Sequence, residues 1–97
     1  MEITNIHIRK INENEKMRAI VSVTFDNMFV VHDIKVIAGA DRTFVAMPSR
    51  KAFDGRFADV AHPINQEFRD VLERSILDTY YDELEKYQEQ AENQPEE

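Results

Sequence analysis

The spacing of apolar residues changes once along this chain of 97 residues, close to position 63. Before that point apolar residues recur at every second position, most strictly in MRAIVSVTF at residues 17–25, which is typical of a strand with one buried face. Beyond it they recur at steps of three and four, the pattern of an amphipathic helix. The sequence therefore predicts an α+β fold, with strands first and one long C-terminal helix.

The first half of the chain predicts an antiparallel meander. Its three strands are residues 3–11, 17–25 and 28–37. Asp26 and Asn27 lie between the second and third strands, and both residue types tolerate positive φ, so a tight two-residue turn is expected there.

Two shorter strands follow. Residues 43–47 end at Pro48, which cannot donate to a central ladder, and residues 57–61 precede His62-Pro63. Asp54-Gly55 is a turn signal between them, so we expect these two strands to form a long hairpin. The predicted sheet thus has about five strands.

Asn65 is a good N-cap for the helix, and Glu67 in the first turn complements its dipole. The expected apolar stripe consists of Phe68, Val71, Leu72, Ile76, Tyr80, Leu84 and Tyr87. Residues 88–97 contain one apolar residue and cannot offset the cost of ordering, so they are predicted to be a disordered acidic tail. The domain is expected to span residues 1–87. A chain this short has a thin core, which self-association would supplement.

The formal net charge of −7 is unevenly distributed. Residues 1–62 contain nine basic and eight acidic residues, whereas residues 63–97 contain three and eleven. A local surplus of three positive charges lies in residues 42–56, where Arg42, Arg50, Lys51 and Arg56 face a single acidic residue, Asp54. Flexible cations on one loop can neutralise phosphates and release counterions, although a solvated surface loop has the same composition.

Other function classes receive little support. The chain has no cysteine, its two glycines cannot make a phosphate-binding loop, and no histidine pair has metal-ligand spacing. His32-Asp33 with Asp54, Asp59 or His62 is a weak acid–base or metal candidate, and backbone-bonded histidines are the simpler interpretation. Phe53 and Phe57 flank the basic turn, where they could stack on bases, but packing in the core is favoured for both. No enzyme activity, cofactor or metal is expected.

Three segments carry a family resemblance: MRAIVSVTFDNMFVVHDIKVI at residues 17–37, FVAMPSRK at residues 44–51 and DGRFADVAHPIN at residues 54–65. They resemble the SpoVG family of stage V sporulation protein G and septation regulators. The resemblance covers roughly residues 1–80, and it implies a bacterial homodimer that binds DNA or RNA site-specifically and regulates transcription, septation or sporulation. The N-terminal residues lack the apolar core of a signal peptide, and no stretch is apolar enough to span a bilayer, so a cytoplasmic location without a membrane or small-molecule partner is expected.

Carried onto this chain, the family's basic pair falls on Arg50 and Lys51, in reversed order. We expect these two residues and Arg56 to hold the nucleic-acid backbone in a dimeric clamp. The beginning of the helix, with Asn65, Gln66 and Arg69, would then offer donors to phosphates or base edges. A second hypothesis is an adaptor whose basic loop binds an acidic protein, with nucleic-acid binding incidental.

Overall fold

The computed structural model describes residues 1–93 and contains two small sheets and one helix. In chain order the elements are β1 (Ile3–Ile11), β2 (Met17–Phe25), β3 (Phe29–Ala38), β4 (Thr43–Ala46), β5 (Ser49–Lys51), β6 (Phe57–Asp59) and α1 (Gln66–Asn93). The first four strands form an antiparallel sheet in the order β1-β2-β3-β4, and β5 pairs only with β6. The α+β class and the antiparallel meander are confirmed.

The turn between β2 and β3 forms as predicted. Asp26 and Asn27 both have positive φ, 52° and 54°, and the Met28 N–H donates to the Phe25 carbonyl over 3.0 Å. Two left-handed residues in succession match the right-handed twist of the flanking strands. The Asp26 carboxylate also accepts a hydrogen bond from the Glu2 N–H at 2.9 Å, which ties the turn to the beginning of β1.

One prediction about the strands is wrong. Residues 43–47 were expected to pair with residues 57–61, but β4 pairs with β3, and β6 pairs with the additional strand β5. Pro48 stands between β4 and β5 and carries no N–H for a ladder, so the chain leaves the first sheet there. The hairpin is therefore a separate two-stranded ribbon, and the strands number six in two sheets.

The core lies between one face of the larger sheet and α1. Its nine buried apolar residues are Ala19, Val21, Val23 and Phe25 of β2, Ile34 and Val36 of β3, and Leu72, Ile76 and Tyr80 of α1. They alternate along β2 and recur every four residues along α1, as the two periodicities require. Burial raises the pKa of the Tyr80 phenol, with nearby Arg18 acting in the opposite direction.

The helix begins where the sequence predicts and ends later. Asn65 Oδ1 accepts a hydrogen bond from the Phe68 N–H at 2.8 Å, so Asn65 is the N-cap. The helix continues to Asn93, six residues into the segment predicted to be disordered. The remaining residues of that segment, 94–97, lie outside the described residues. No helix in the described part of the chain is long and apolar enough to cross a membrane.

Candidate nucleic-acid interface

The basic residues at positions 50 and 51 lie on the ribbon formed by β5 and β6. Arg50 pairs with Ala58, and Lys51 pairs with Phe57. Since successive residues of a strand point to opposite faces, Arg50 and Lys51 lie on opposite faces of the ribbon. At its root the Val60 N–H donates to the Pro48 carbonyl over 2.7 Å. The ribbon can therefore present a cation on either side.

The tip of the ribbon is a hydrogen-bonded turn. The Gly55 N–H donates to the Ala52 carbonyl at 2.9 Å, and Gly55 has a φ of +88°, a left-handed conformation that disfavours other residues. Asp54 Oδ1 accepts a hydrogen bond from the Arg56 N–H at 3.1 Å. The turn predicted from Asp54-Gly55 is thus confirmed, and it sets Arg56 at the outer end of the ribbon.

The charge on the ribbon is positive but smaller than the sequence count implied. Arg56 Nε lies 3.9 Å from Asp54 Oδ2, with 88% of the Arg56 side chain exposed, so this ion pair contributes little and leaves Arg56 accessible. Asp59 of β6 pairs with Ser49, and Arg42 lies in the turn between β3 and β4 instead of on the ribbon. Three cations therefore face two carboxylates, Asp54 and Asp59.

Both phenylalanines beside the turn are exposed. The relative exposure of Phe53 is 109% and that of Phe57 is 71%. The prediction that they pack in the core is wrong for the single chain, because the ribbon projects from the sheet instead of extending it. An exposed ring beside arginine or lysine can stack on a base. Because neither ring is buried, both are accessible for such stacking.

The predicted donors at the beginning of α1 are partly engaged. Asn65 Oδ1 caps the helix, and the Gln66 amide donates from Nε2 to Asp70 Oδ1 over 2.8 Å. Arg69 lines a shallow groove together with Arg42, Arg74 and several carboxylates of α1. This bond engages one N–H of the Gln66 amide, and the second N–H remains a donor for a base or phosphate.

The structure does not bring the six predicted site residues together on one surface. Arg50 and Lys51 line a concavity built entirely of ribbon residues and Val60, whereas Gln66 and Arg69 line the groove on α1. The single chain therefore offers a cationic ribbon and a mixed-charge helix groove, and these two surfaces share no lining residue.

An apolar groove lies between the first turns of α1 and the end of the larger sheet. It measures about 310 Å³, and its walls include Phe25, Phe29, Ile64 and Phe68. Ile64 is 95% exposed at its rim, and Phe29 is 62% exposed. Exposed apolar residues around a concave apolar surface indicate an interaction site. The sequence alone did not show this groove, because its residues come from four separate segments.

The histidines do not form a metal site in the described part of the chain. No group of three or more His, Cys, Asp or Glu side chains within residues 1–93 could hold a metal ion. His62 Nδ1 lies 3.1 Å from the Pro63 carbonyl oxygen, and His32 Nδ1 lies 2.8 Å from Ser22 Oγ. His62 thus bonds to the backbone, as the simpler interpretation expects, whereas His32 bonds to a side chain.

Comparison with known proteins identifies the family. The SpoVG family model matches residues 1–82. A relative from Clostridioides difficile strain 630, named "Putative septation protein SpoVG", is 54% identical over 92 residues, which cover 95% of this chain and 100% of the relative. Relatives of the same name from Clostridium perfringens and Acetivibrio thermocellus are 61% and 62% identical over 80 residues, covering 82% of this chain and 89% and 85% of the relatives. The chain therefore belongs to the SpoVG family.

Proposed function

We propose that the protein is a homodimeric nucleic-acid-binding regulator, with DNA or RNA as its target, that acts in septation or sporulation. The names of its relatives support the biological process. The observation that carries the binding function is the projecting ribbon, on which Arg50, Lys51 and Arg56 are all exposed. None of these three side chains packs in the core, so a role in folding does not explain why they are there.

The physical mechanism is phosphate neutralisation with release of counterions. Arg50 and Lys51 lie on opposite faces of the ribbon, and Arg56 lies at its end, so a strand of phosphates can bend around the ribbon and contact all three. Phe53, next to these cations, offers a ring on which a base can stack. A single ribbon provides three contacts, which predicts weak binding by one protomer.

Dimerisation would double this number. The apolar groove with Phe29 and Ile64 at its edge is the surface that supports a second copy, because burying it removes apolar area from water. A symmetric pair uses the same patch on both copies. Two ribbons held on one assembly bind a polyanion with a high effective concentration.

The test of binding is a titration with labelled DNA and RNA, each single-stranded and duplex, followed by fluorescence anisotropy between about 50 and 200 mM salt. The double variant Arg50→Ala/Lys51→Ala should bind more weakly. For duplex DNA, the slope of log K against log salt should become shallower by about 0.9 for each phosphate that the variant no longer neutralises.

The matched control is Lys86→Ala. Lys86 lies on α1 within 3.5 Å of Asp82 and 3.8 Å of Glu83, so its removal also takes away a positive charge but should leave affinity nearly unchanged. Equal affinities and equal salt slopes for the wild type and the double variant would refute the proposal, as would a wild-type protein that binds none of the four probes.

The proposed dimer has its own test. Ile64→Glu places a charge at the rim of the apolar groove without disturbing a buried side chain, since Ile64 is 95% exposed. Sedimentation equilibrium should show a dimer for the wild type and a monomer for the variant, with unchanged far-ultraviolet circular dichroism. A wild-type monomer at all concentrations, or a variant dimer, would contradict the proposed interface.

The exposed aromatic residues favour a second candidate, the protein adaptor. Phe53 and Phe57 are typical anchors for a protein partner, and the neighbouring cations would select an acidic one. An adaptor predicts that Phe53→Ser/Phe57→Ser abolishes capture of an acidic partner, while DNA and RNA binding is absent or insensitive to the ribbon. The anisotropy titration above therefore separates the two functions.

A further inference from the structure

The larger sheet has a second face, on the side away from α1. Val21 and its partners Ile8 and Ile34 point toward the helix. Side chains one position further along each strand point to the opposite face of the sheet, away from the helix. Within residues 1–93, α1 packs against only one side of this sheet, so the other side forms an open face.

Two basic residues flank the centre of this open face. Ile20 of β2 pairs with Lys10 on β1 and with Lys35 on β3. Neighbouring strands are about 4.8 Å apart, so the two lysines belong to one row and their backbones are about 10 Å apart. Within the described residues neither lysine forms an ion pair, and Lys10 is exposed.

A parallel row carries two imidazoles. His7 of β1 pairs with Ser22 of β2, and Ser22 Oγ lies 2.8 Å from His32 Nδ1 on β3. His7 and His32 are both exposed, whereas Ser22 is buried beneath this row. His7 and His32 thus belong to one row across the sheet, on either side of Ser22.

Two bulges add an ion pair to this face. The register shift in β1 sets Arg9 beside Lys10 opposite Ile20, and the shift in β3 sets His32 and Asp33 opposite Ser22. Asp33 takes a φ of 64°, and its carboxylate accepts a hydrogen bond from Arg9 Nη1 at 3.1 Å across β2. Asp33 offsets Arg9, so the unpaired charge of the face comes from Lys10 and Lys35.

The open face is continuous with the ribbon. A cleft of about 580 Å³ is lined by Ile20, His32 and Lys35 of the sheet and by Pro48, Ser49 and Val60 at the root of the ribbon. Ser49 and Lys51 are two positions apart in β5, so they lie on the same face of the ribbon. A chain of phosphates leaving Lys51 can therefore continue past Ser49 to Lys35.

The charge on the opposite side of the molecule directs a polyanion to this path. The helix Gln66–Asn93 contains nine acidic and three basic residues. The open face contains Arg9, Lys10 and Lys35 against one carboxylate, Asp33. The two sides therefore differ in sign, and a phosphate chain is repelled from the helix side and attracted to the sheet side.

We propose that the open sheet face is a binding platform for single-stranded nucleic acid. Phosphates that leave the ribbon bind Lys35 and Lys10, and unpaired bases stack on His32 and His7. This inference rests on the proposed function and names its substrate class. A sheet face with exposed rings suits unpaired bases, because the faces of bases in a duplex are already stacked on their neighbours.

The test uses a fluorescein-labelled single-stranded DNA and the duplex of the same sequence. Lys10→Gln/Lys35→Gln should weaken single-strand binding by about three- to tenfold and lower the salt slope by about 1.4, which corresponds to two phosphates at about 0.7 each. The charge-matched control Lys16→Gln/Lys86→Gln changes two lysines away from this face and should have no such effect. Circular dichroism checks that both variants fold.

A second pair of variants tests the rings. His7→Ala should weaken single-strand binding by about fivefold or more, because one base can no longer stack. His7→Phe keeps an aromatic ring and should restore the affinity. His7 is an exposed strand residue, so neither change disturbs the core. Weak binding by both His7 variants would overturn stacking as the role of this residue.

The outcomes distinguish this inference from the function on which it rests. If Arg50→Ala/Lys51→Ala loses binding while Lys10→Gln/Lys35→Gln behaves like its control, the platform is wrong and the ribbon stands. If the ribbon variant binds like the wild type, the proposed function is refuted, and the platform that rests on it is refuted as well. An equal weakening for single-stranded and duplex probes would overturn the assignment to single strands.

Discussion

The core of the larger sheet and the β5–β6 ribbon differ in nearly every physical respect, although they are neighbours in the chain. In the core, Val21, Val23, Ile34, Val36 and Ile76 are fully buried, and no side-chain nitrogen or oxygen that the structure describes is buried without a hydrogen-bond partner. In the ribbon every residue is exposed. Stability therefore resides in the core, whereas the ribbon carries candidate binding chemistry and contributes little to stability.

Mutations in the two regions should accordingly act in different ways. A change in the core alters the population of folded protein, whereas a change in the ribbon alters a surface that contributes little to folding. Functional variants of the ribbon can thus be interpreted without a large correction for stability. The following predictions test this separation, in order of decreasing effect on the free energy of unfolding.

The largest effect is expected for Ile76→Ala. Ile76 is fully buried between α1 and the sheet, and its truncation removes apolar contacts and leaves a cavity. The free energy of unfolding should fall by about 2–5 kcal/mol, a large share of the roughly 5–15 kcal/mol that stabilises a typical domain. Urea unfolding followed by circular dichroism measures this decrease.

Two matched variants complete the comparison. Val71 lies on the same helix and is 54% exposed, and Phe57 lies on the ribbon and is 71% exposed. Val71→Ala and Phe57→Ala should each change the free energy of unfolding by no more than about 0.5 kcal/mol. A decrease above about 2 kcal/mol for Phe57→Ala would show that the ribbon belongs to the folded core, and the separation would not hold.

An intermediate effect is expected at the junction between the two regions. Asn65 ends the segment that leads from the ribbon and caps α1, so Asn65→Ala should cost about 1 kcal/mol. Asn65→Asp keeps an oxygen that accepts from the Phe68 N–H and should retain the stability. Equal stabilities of the alanine and aspartate variants in urea unfolding would show that the cap contributes nothing measurable.

Most of the larger sheet could be predicted from the sequence, because its strands follow one physical rule. In β2, the alternation of apolar and polar residues predicts both the first and the last residue of the strand. The turn after it is predicted by Asp26 and Asn27, whose residue types tolerate positive φ. The bulge in β3 is visible in the sequence, because the inward residues Val31 and Ile34 are three positions apart instead of two. This break in the period of two could have predicted that His32 and Asp33 both lie on the open face.

The ribbon could not be predicted to the same depth. Its strands are three residues long, too short for alternation to indicate which face is buried, so Phe57 was wrongly expected to pack. Pro48 indicates the end of a strand, but which strand pairs with the segment after Pro48 depends on tertiary position. The separation of Arg50 from Lys51 by the ribbon's two faces also required the observed register.

The smallest effect is expected for Tyr80→Phe and only at alkaline pH. Burial raises the pKa of the Tyr80 phenol, so as the pH increases the unfolded chain loses this proton before the folded protein does. The stabilisation linked to this group is fully present below the pKa of the unfolded chain, near 10, and is lost as the pH rises through the folded pKa. Tyr80→Phe removes this titration, so the variant should lose less stability than the wild type between neutral and strongly alkaline pH.

The control for this prediction is a tyrosine on the same helix that lies outside the core. Tyr87 is 45% exposed, and Tyr87→Phe should follow the wild-type curve of stability against pH. Thermal unfolding across the alkaline range compares the two variants. If Tyr80→Phe and Tyr87→Phe gave the same curve, then the Tyr80 phenol would be accessible to water, and the contrast between a dry core and a solvated ribbon would be weaker than the structure indicates.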